Sequence, residues 1–304
     1  MNNYSNIIVV DNDAAESIAC YKDVLHSNSG QPFININERF VVNIHILEAC
    51  NYKCRHCFAH FDHNKLLPLE SWKHIVDNIS KAIPVKRFNI AGGEPFLYPH
   101  LDELIKYIYN KGHQVSIITN GFLITEEWLD KNSKYIHTIG FSIDSFNENV
   151  LTHMGRQTIN GNILKYDKLT YICNKIKSAG IKLKLNTVVT SLNHKEDFTD
   201  RIKQLGVDRW KVLKMKVFRN ESFDNSDISI STNEFNDFVY RHKGTPNAVY
   251  EASLVNSYIM IDSSGSLVDN SNDSYTKVSD VTTEDFKEGF KRLKLDSKLY
   301  FSRY

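Results

Sequence analysis

Cys50, Cys54 and Cys57 stand in one stretch, CNYKCRHC, at a C-x3-C-x2-C spacing. Three thiolates can hold three irons of a four-iron cubane and leave the fourth iron open, whereas clusters that only carry electrons are commonly held by four cysteines. An open iron can chelate a substrate or a cofactor. The same triplet could instead bind zinc, with His56 or His60 as the fourth ligand. Two further cysteines, Cys20 and Cys173, lie far from the triplet. An odd count with three packed together makes a poor disulfide framework and suits a reducing compartment and a metal site. Cys173 falls on the apolar face of a helical pattern and reads as core.

A second constellation is polar. KLKLNTVV, residues 182–189, alternates, with Leu183, Leu185 and Val189 on one side and Lys182, Lys184 and Asn186 on the other. Successive strand side chains face opposite ways, so the polar groups share a face. RWKVLKM, residues 209–215, places Arg209 and Lys211 on one face in the same manner. Barrel interiors are normally filled by Val, Ile and Leu. Three inward cations need something anionic to meet them, because unpaired buried charge is costly. The inward positions of the first strand, Asn43 and His45, are not acids. A ligand polyanion, phosphates above all, is therefore expected. The alternative is that these cations point outward into solvent.

The elements that must position these groups follow a regular rhythm. Strand patterns read at 39–47, 87–93, 114–121, 138–144, 182–189 and 209–215. Helical spacing lies between them: Trp72, Ile75, Val76 and Ile79; Leu101, Leu104, Ile105 and Ile108; Leu169, Ile172, Cys173 and Ile176, with Gly180 placed to cap the last. Strands alternating with helices imply a parallel sheet, and six units imply an α/β partial (β/α)6 barrel. Residues 1–38 read as an N-terminal extension, 39–226 as the barrel and 227–304 as a C-terminal cap. After about 220 the pattern changes: 221–233 reads as a loop, and Ser231 with Glu234 forms a capping box for a helix at 232–243. A hairpin turns around Gly265 between 257–262 and 266–268.

The bulk numbers limit the function classes. The 304 residues carry 37 basic and 36 acidic side chains, a net charge of +1. A dedicated nucleic-acid binder would show a basic excess. No leader is evident at MNNYSNIIVVDND, and no run approaches a membrane span. A cytoplasmic protein is expected, without a membrane or nucleic-acid partner, and a monomer.

The cysteine triplet after the first strand resembles the radical S-adenosylmethionine (SAM) superfamily. AGGEP (91–95), ITNG (118–121) and FSID (141–144), at the ends of the next three strands, match its further motifs in order. The resemblance implies a 4Fe–4S cluster on Cys50, Cys54 and Cys57, and SAM on its open iron. It implies cleavage of SAM to a 5′-deoxyadenosyl radical. It also implies SAM contacts from Gly92 and Gly93, by close backbone approach, and from Glu94, accepting from the SAM ammonium. Thr119, Asn120, Ser142, Asp144 and Arg156 are further contacts by the motif match. For Asn120 and Asp144, simple turn chemistry is the competing account. His56 stands where the family usually has an aromatic residue, a departure.

A closer resemblance runs from about 42 to about 262. CNYKCRHCF, LPLESW, GGEPFL, SIITNGFLI, IDSF, RIKQLGVDRWKV and EFNDFVYRHK, in this order, are similar to the viperin family of antiviral radical SAM enzymes. That family dehydrates nucleoside triphosphates, CTP in animals and CTP, UTP or GTP in prokaryotes, to chain-terminating 3′-deoxy-3′,4′-didehydro nucleotides. The resemblance implies triphosphate contacts from Lys184, Asn186, Arg209 and Lys211, with Asn43 beside the substrate. Tyr258 faces the nucleotide and is a proton or electron donor by the same resemblance. A flavodoxin- or ferredoxin-like electron donor is expected. The family's amphipathic membrane helix has no counterpart here. Beyond Tyr258, VDNSNDSYTK offers only Lys277 where the animal enzyme has a basic loop.

Two other readings compete. Another radical SAM enzyme, such as a peptide maturase, would often need cysteines for auxiliary clusters, and Cys20 and Cys173 cannot supply one. A zinc-stabilised nucleic-acid-binding module leaves GGEP unexplained.

Overall fold

The computed structural model describes residues 39–59, 66–219, 223–271 and 275–303. The expected N-terminal extension, 1–38, lies outside the described residues, as do Cys20 and His60. Six strands run parallel in chain order: β1 (Phe40–His45), β2 (Val85–Ala91), β3 (Gln114–Thr119), β4 (Thr138–Ser142), β5 (Lys182–Val189) and β6 (Arg209–Lys214). The connecting helices are α1 (Leu69–Ala82), α2 (Leu101–Asn110), α3 (Glu126–Asn132), α4 (Glu148–His153), α5 (Tyr166–Ser178) and α6 (Thr199–Leu205). The three longest, α1, α2 and α5, are those whose apolar spacing is readable in the sequence. Their buried residues are the expected ones, Cys173 among them. Gly180, at φ 74°, closes α5 as a left-handed cap that other residues adopt at a cost.

Residues beyond 226 add strands to both edges of this sheet. β7 (Ala248–Glu251) pairs parallel with β6 at one edge. β8 (Ile259–Ile261) pairs parallel with β1 at the other, followed by antiparallel β9 (Ser266–Asp269) and β10 (Thr276–Asp280). The result is one ten-stranded sheet. This is the expected α/β partial barrel with a C-terminal extension. The hairpin around Gly265 is β8–β9, and the Ser231–Glu234 capping box opens α7 (Thr232–His242). The short β7 and β10 were not apparent in the sequence. Nor were α8 (Phe286–Phe290) and α9 (Ser297–Ser302), too short for a clear period.

The alternation in β5 separates two environments. Leu183, Leu185, Thr187 and Val189 are fully buried on the helix-facing side. There Trp210 of β6 stacks on Phe198 at 5.6 Å between ring centroids, and its indole N–H donates to Thr187 (2.9 Å). Truncating one such side chain would cost about 2–5 kcal/mol. This packing sets the register, and register sends Lys184, Asn186, Arg209 and Lys211 to the concave side. Lys182, expected at the rim, is exposed.

Candidate active site

The loop after β1 carries Cys50, Cys54 and Cys57, all partly buried. It is held by the GGEP turn. The Gly93 N–H donates to Leu47 O (2.7 Å) and the Glu94 N–H to Ala49 O (2.9 Å). A Cβ on Gly93 would lie 2.2 Å from Ala49 O, and one on Gly92 2.5 Å from Leu47 O. Gly92 also sits at φ 144°. The two glycines thus let the second motif lie directly on the cysteine loop, a need that is internal to the fold.

Glu94 ties in the third motif. Its Oε1 accepts from the Thr119 hydroxyl (2.6 Å) and the Phe96 N–H (3.3 Å), and its Oε2 from the Asn120 N–H (2.8 Å). Burial pushes its carboxyl up, against these hydrogen bonds. An ionised carboxylate has about four acceptor sites, so Oε2 keeps one for a ligand donor. Asn120 does two things. Its Oδ1 closes a turn onto the Phe122 N–H (2.9 Å), and its Nδ2 donates to Asn51 in the cysteine loop (2.6 Å). Turn chemistry and a place beside the cluster loop are both realised.

Asp144, 1% exposed, is the hub of the fourth motif. Its Oδ1 accepts from the Val188 N–H (2.7 Å); its Oδ2 meets His56 Nε2 (2.9 Å) and Arg156 Nε (3.2 Å). Burial alone would push its carboxyl up, but His56 and Arg156 outweigh it and hold the group below the usual range. Arg156 also donates to Cys54 Sγ (3.4 Å). The Nε2 of His56 is thus engaged with Asp144, while its Nδ1 is buried without a hydrogen-bond partner. Asn120, Ser142 and Arg156 line one open cleft together with Tyr52, Phe146 and Leu164. Burial raises all three thiol pKa values, that of Cys57 to about 12. A metal centre bound here would have to draw off these protons, and three thiolates are a donor set that an iron–sulfur cluster takes.

The cations of β5 and β6 meet as cross-strand pairs: Lys184 opposite Arg209, and Asn186 opposite Lys211. Burial, then the charges of Lys211 and Arg209, push the Lys184 ammonium well below its ordinary range. Among the described residues no carboxylate pairs with it. Asn186 Oδ1 is buried without a hydrogen-bond partner. One expectation is corrected here. The protein does supply a carboxylate to the cradle, but from β7 rather than β1. Glu251 pairs with Lys211 Nζ (2.7 Å) and with Arg303 Nη1 (2.5 Å). The Tyr258 hydroxyl lies among all three, hydrogen-bonded to Lys211, Glu251 and Arg303.

Asn43 belongs to a polar ladder across the interior. Its Nδ2 donates to Ile259 O (3.2 Å), its Oδ1 accepts from Asn89 (2.7 Å), and Asn89 accepts from Ser116 (2.7 Å). Glu251, Arg303, Asn89 and Ser116 were not singled out in the sequence. The alternation of RFNIAGG marks Asn89 as facing away from Phe88 and Ile90, a usable signal. Arg303 carries no local signal.

Comparison with known proteins places this arrangement. The family model for the Radical SAM superfamily matches residues 44–205. Two solved structures share the fold: anSMEcpe with bound AdoMet (TM-score 0.63, 18% identity, 83% of this chain and 80% of that one), and Streptococcus suis SuiB bound to precursor peptide SuiA (TM-score 0.63, 17% identity, 87% and 66%). The chain is a radical SAM enzyme, and its cysteine triplet implies a 4Fe–4S cluster and SAM. An S-adenosylmethionine-dependent nucleotide dehydratase of Selenomonas ruminantium is 40% identical over 270 residues, 87% of this chain and 98% of that protein. The Danio rerio S-adenosylmethionine-dependent nucleotide dehydratase RSAD2 is 31% identical over 73% of this chain and 64% of its own length. The chain belongs to this viperin-like family of SAM-dependent nucleotide dehydratases.

Proposed function

We propose that this dehydratase acts on a nucleoside triphosphate, CTP first and UTP or GTP as alternatives, and forms the 3′-deoxy-3′,4′-didehydro nucleotide. The supporting observation is the pairing of Lys184 with Arg209 and of Asn186 with Lys211 inside the sheet, with no carboxylate on Lys184. When bound, the cluster and SAM supply the 5′-deoxyadenosyl radical that takes the ribose C4′ hydrogen. The C3′ hydroxyl then leaves as water, with one proton and one electron supplied.

In this reading Cys50, Cys54 and Cys57 hold the cluster. Gly92, Gly93 and Glu94 shape and face the SAM amino end, while His56, Thr119, Asn120, Ser142, Asp144 and Arg156 line the rest of its site. Lys184, Asn186, Arg209 and Lys211 neutralise the triphosphate, and the sheet around them excludes water. Asn43 and Tyr258 border the nucleotide, with Tyr258 the proton or electron donor. Residues 39–226 form the catalytic barrel and 227–304 the cap that brings Tyr258 to it.

A flavodoxin- or ferredoxin-like protein would deliver the electrons to a monomeric enzyme. No helix of the described residues is long and apolar enough to cross a membrane, and a cytoplasmic place is proposed. A nucleotide without a 3′-hydroxyl stops a growing chain, so we place the enzyme in antiphage defence. Loss of plaque protection in cells that express a Cys54→Ala variant tests that role.

The biochemical test is anaerobic reconstitution with iron and sulfide, followed by SAM, reductant and each of CTP, UTP, GTP and ATP. The expected product is a triphosphate lighter than its parent by one water, with one 5′-deoxyadenosine per turnover. SAM cleavage with every nucleotide unchanged overturns the triphosphate assignment.

A further inference from the structure

Arg303 brings to the cluster of Lys211, Glu251 and Tyr258 a cation that comes from neither β5 nor β6. Arg303 follows α9 and is 3% exposed. Its Nη1 donates to Glu251 Oε2 (2.5 Å) and to the Tyr258 hydroxyl (2.8 Å), and its Nη2 donates to Ser253 O (2.6 Å). Its own carbonyl accepts from Arg209 Nη2 (2.6 Å). One residue therefore touches Arg209 and Tyr258 directly, and reaches Lys211 through Glu251.

The element that delivers Arg303 is itself fixed. The Tyr300 hydroxyl accepts from the Val41 N–H (2.6 Å) and donates to Val41 O (2.7 Å), and its ring is fully buried. Val41 is the second residue of β1 and Arg209 the first of β6. Both contacts lie toward the N-terminal ends of the strands, opposite the loops that carry the cysteines.

Among the described residues the charges do not close: around Lys184, Arg209, Lys211 and Arg303 the one carboxylate in an ion pair is Glu251, which meets Lys211 and Arg303. The Nε of Arg209 and the Nε of Arg303 are buried with no acceptor. Buried donors without acceptors are costly unless something satisfies them. Oxygens of a phosphate chain would satisfy both, and charge-assisted contacts of this kind are the strong ones.

We infer that Arg303 is a positioning and specificity residue for the phosphate chain: it supplies a further cation to the cradle, anchors Arg209 through its carbonyl, and shares Glu251 with Lys211 so that Lys211 keeps charge to spare for the ligand. The inference rests on the triphosphate reading above. It predicts that Arg303 sets the preference for three phosphates over one.

The test uses the reconstituted holoenzyme with SAM and no reductant, so that nothing turns over. Binding of CTP and of CMP is measured by calorimetry for wild type, Arg303→Met and Arg303→Lys. Arg303→Met should weaken CTP by about tenfold or more while changing CMP little, and Arg303→Lys should recover part of the loss. Arg303→Met also leaves Glu251 with one cation fewer. The double variant Glu251→Gln/Arg303→Met removes both charges and keeps the measurement possible if the single variant does not fold. Its CTP-to-CMP preference should be reduced in the same way. A full wild-type preference in either Met variant overturns the inference and leaves the triphosphate reading standing. A wild-type enzyme that binds CTP no better than CMP overturns both.

Discussion

Lys184 on β5 and Arg209 on β6 are register partners, so two cations stand directly across from each other on the inner face of the sheet. Like charges in that relation are destabilising. The fold holds them there because Leu183, Leu185 and Trp210, the residues between and beside them, are fixed by the helix-side core.

Removing the Lys184 charge should therefore separate stability from function. Lys184→Met is expected to stabilise the fold by roughly 1–2 kcal/mol, since an unpaired cation leaves a poorly solvated site. The same change should abolish or severely weaken triphosphate turnover. Thermal melts and product formation on one preparation check both halves. A variant that is less stable than wild type would show that Lys184 is well solvated or paired.

Burial lowers the Lys211 ammonium to about 8, despite the pull of Glu251. A lysine lowered in this way is charged at a cost to the fold. Below pH 8 that cost is present in full, and stability should rise between about pH 8 and the unfolded value near 10.4. A polyanionic ligand favours the charged form, so binding should run the other way. Triphosphate affinity should be constant below pH 8 and fall by up to about tenfold per unit above it. Dissociation constants from pH 6.5 to 9.5 test this, and Lys211→Arg should flatten the profile.

Gly93→Ala should disturb the cluster loop. The new Cβ would meet the backbone of Glu48 and Ala49 at 2.3 and 2.2 Å, where no flexible side chain can give way. A loss of about 1–3 kcal/mol is expected, together with low iron content after reconstitution. Gly112→Ala is the control. Unlike Gly93 it sits at a positive φ (85°), but it has open space around it, so it should lose about 1 kcal/mol and keep its iron.

Asp144→Asn weakens the links to His56 and Arg156 and leaves Arg156 without its carboxylate. The expected cost at neutral pH is about 2–4 kcal/mol, measured by urea unfolding. The Asp144 carboxyl is held below its usual range, so its contribution is present above the unfolded value near 3.9 and is lost as pH falls below it. The gap between wild type and variant should close there. A constant gap from pH 7 to pH 3 would assign the effect to packing alone.

The sequence carried the cysteine triplet and the inward cations of β5 and β6 for one reason: both are local patterns. Cysteine spacing within a loop and period-two alternation along a strand are set by covalent connectivity. The same periodicity marked α1, α2 and α5, whose faces are long enough to show a repeat. It did not mark α8 and α9 or β7, which offer only four to six residues each.

What tertiary structure decided were the partners. Glu251 reads as one acid in a short AVYE run, yet pairing of β7 with β6 sets it on Lys211. Arg303 reaches Glu251 across 52 positions of chain, and Tyr300 reaches Val41 across 259. No local period encodes such contacts. Gly92 and Gly93 were legible as close-approach residues, but only the fold shows the cysteine loop filling the space that a Cβ would take. By itself the sequence determined which side chains share a face of a strand. Which charge meets which was decided when closing the core brought distant strands and a final helix together, because the energy of a buried ion depends on neighbours that only the folded chain supplies.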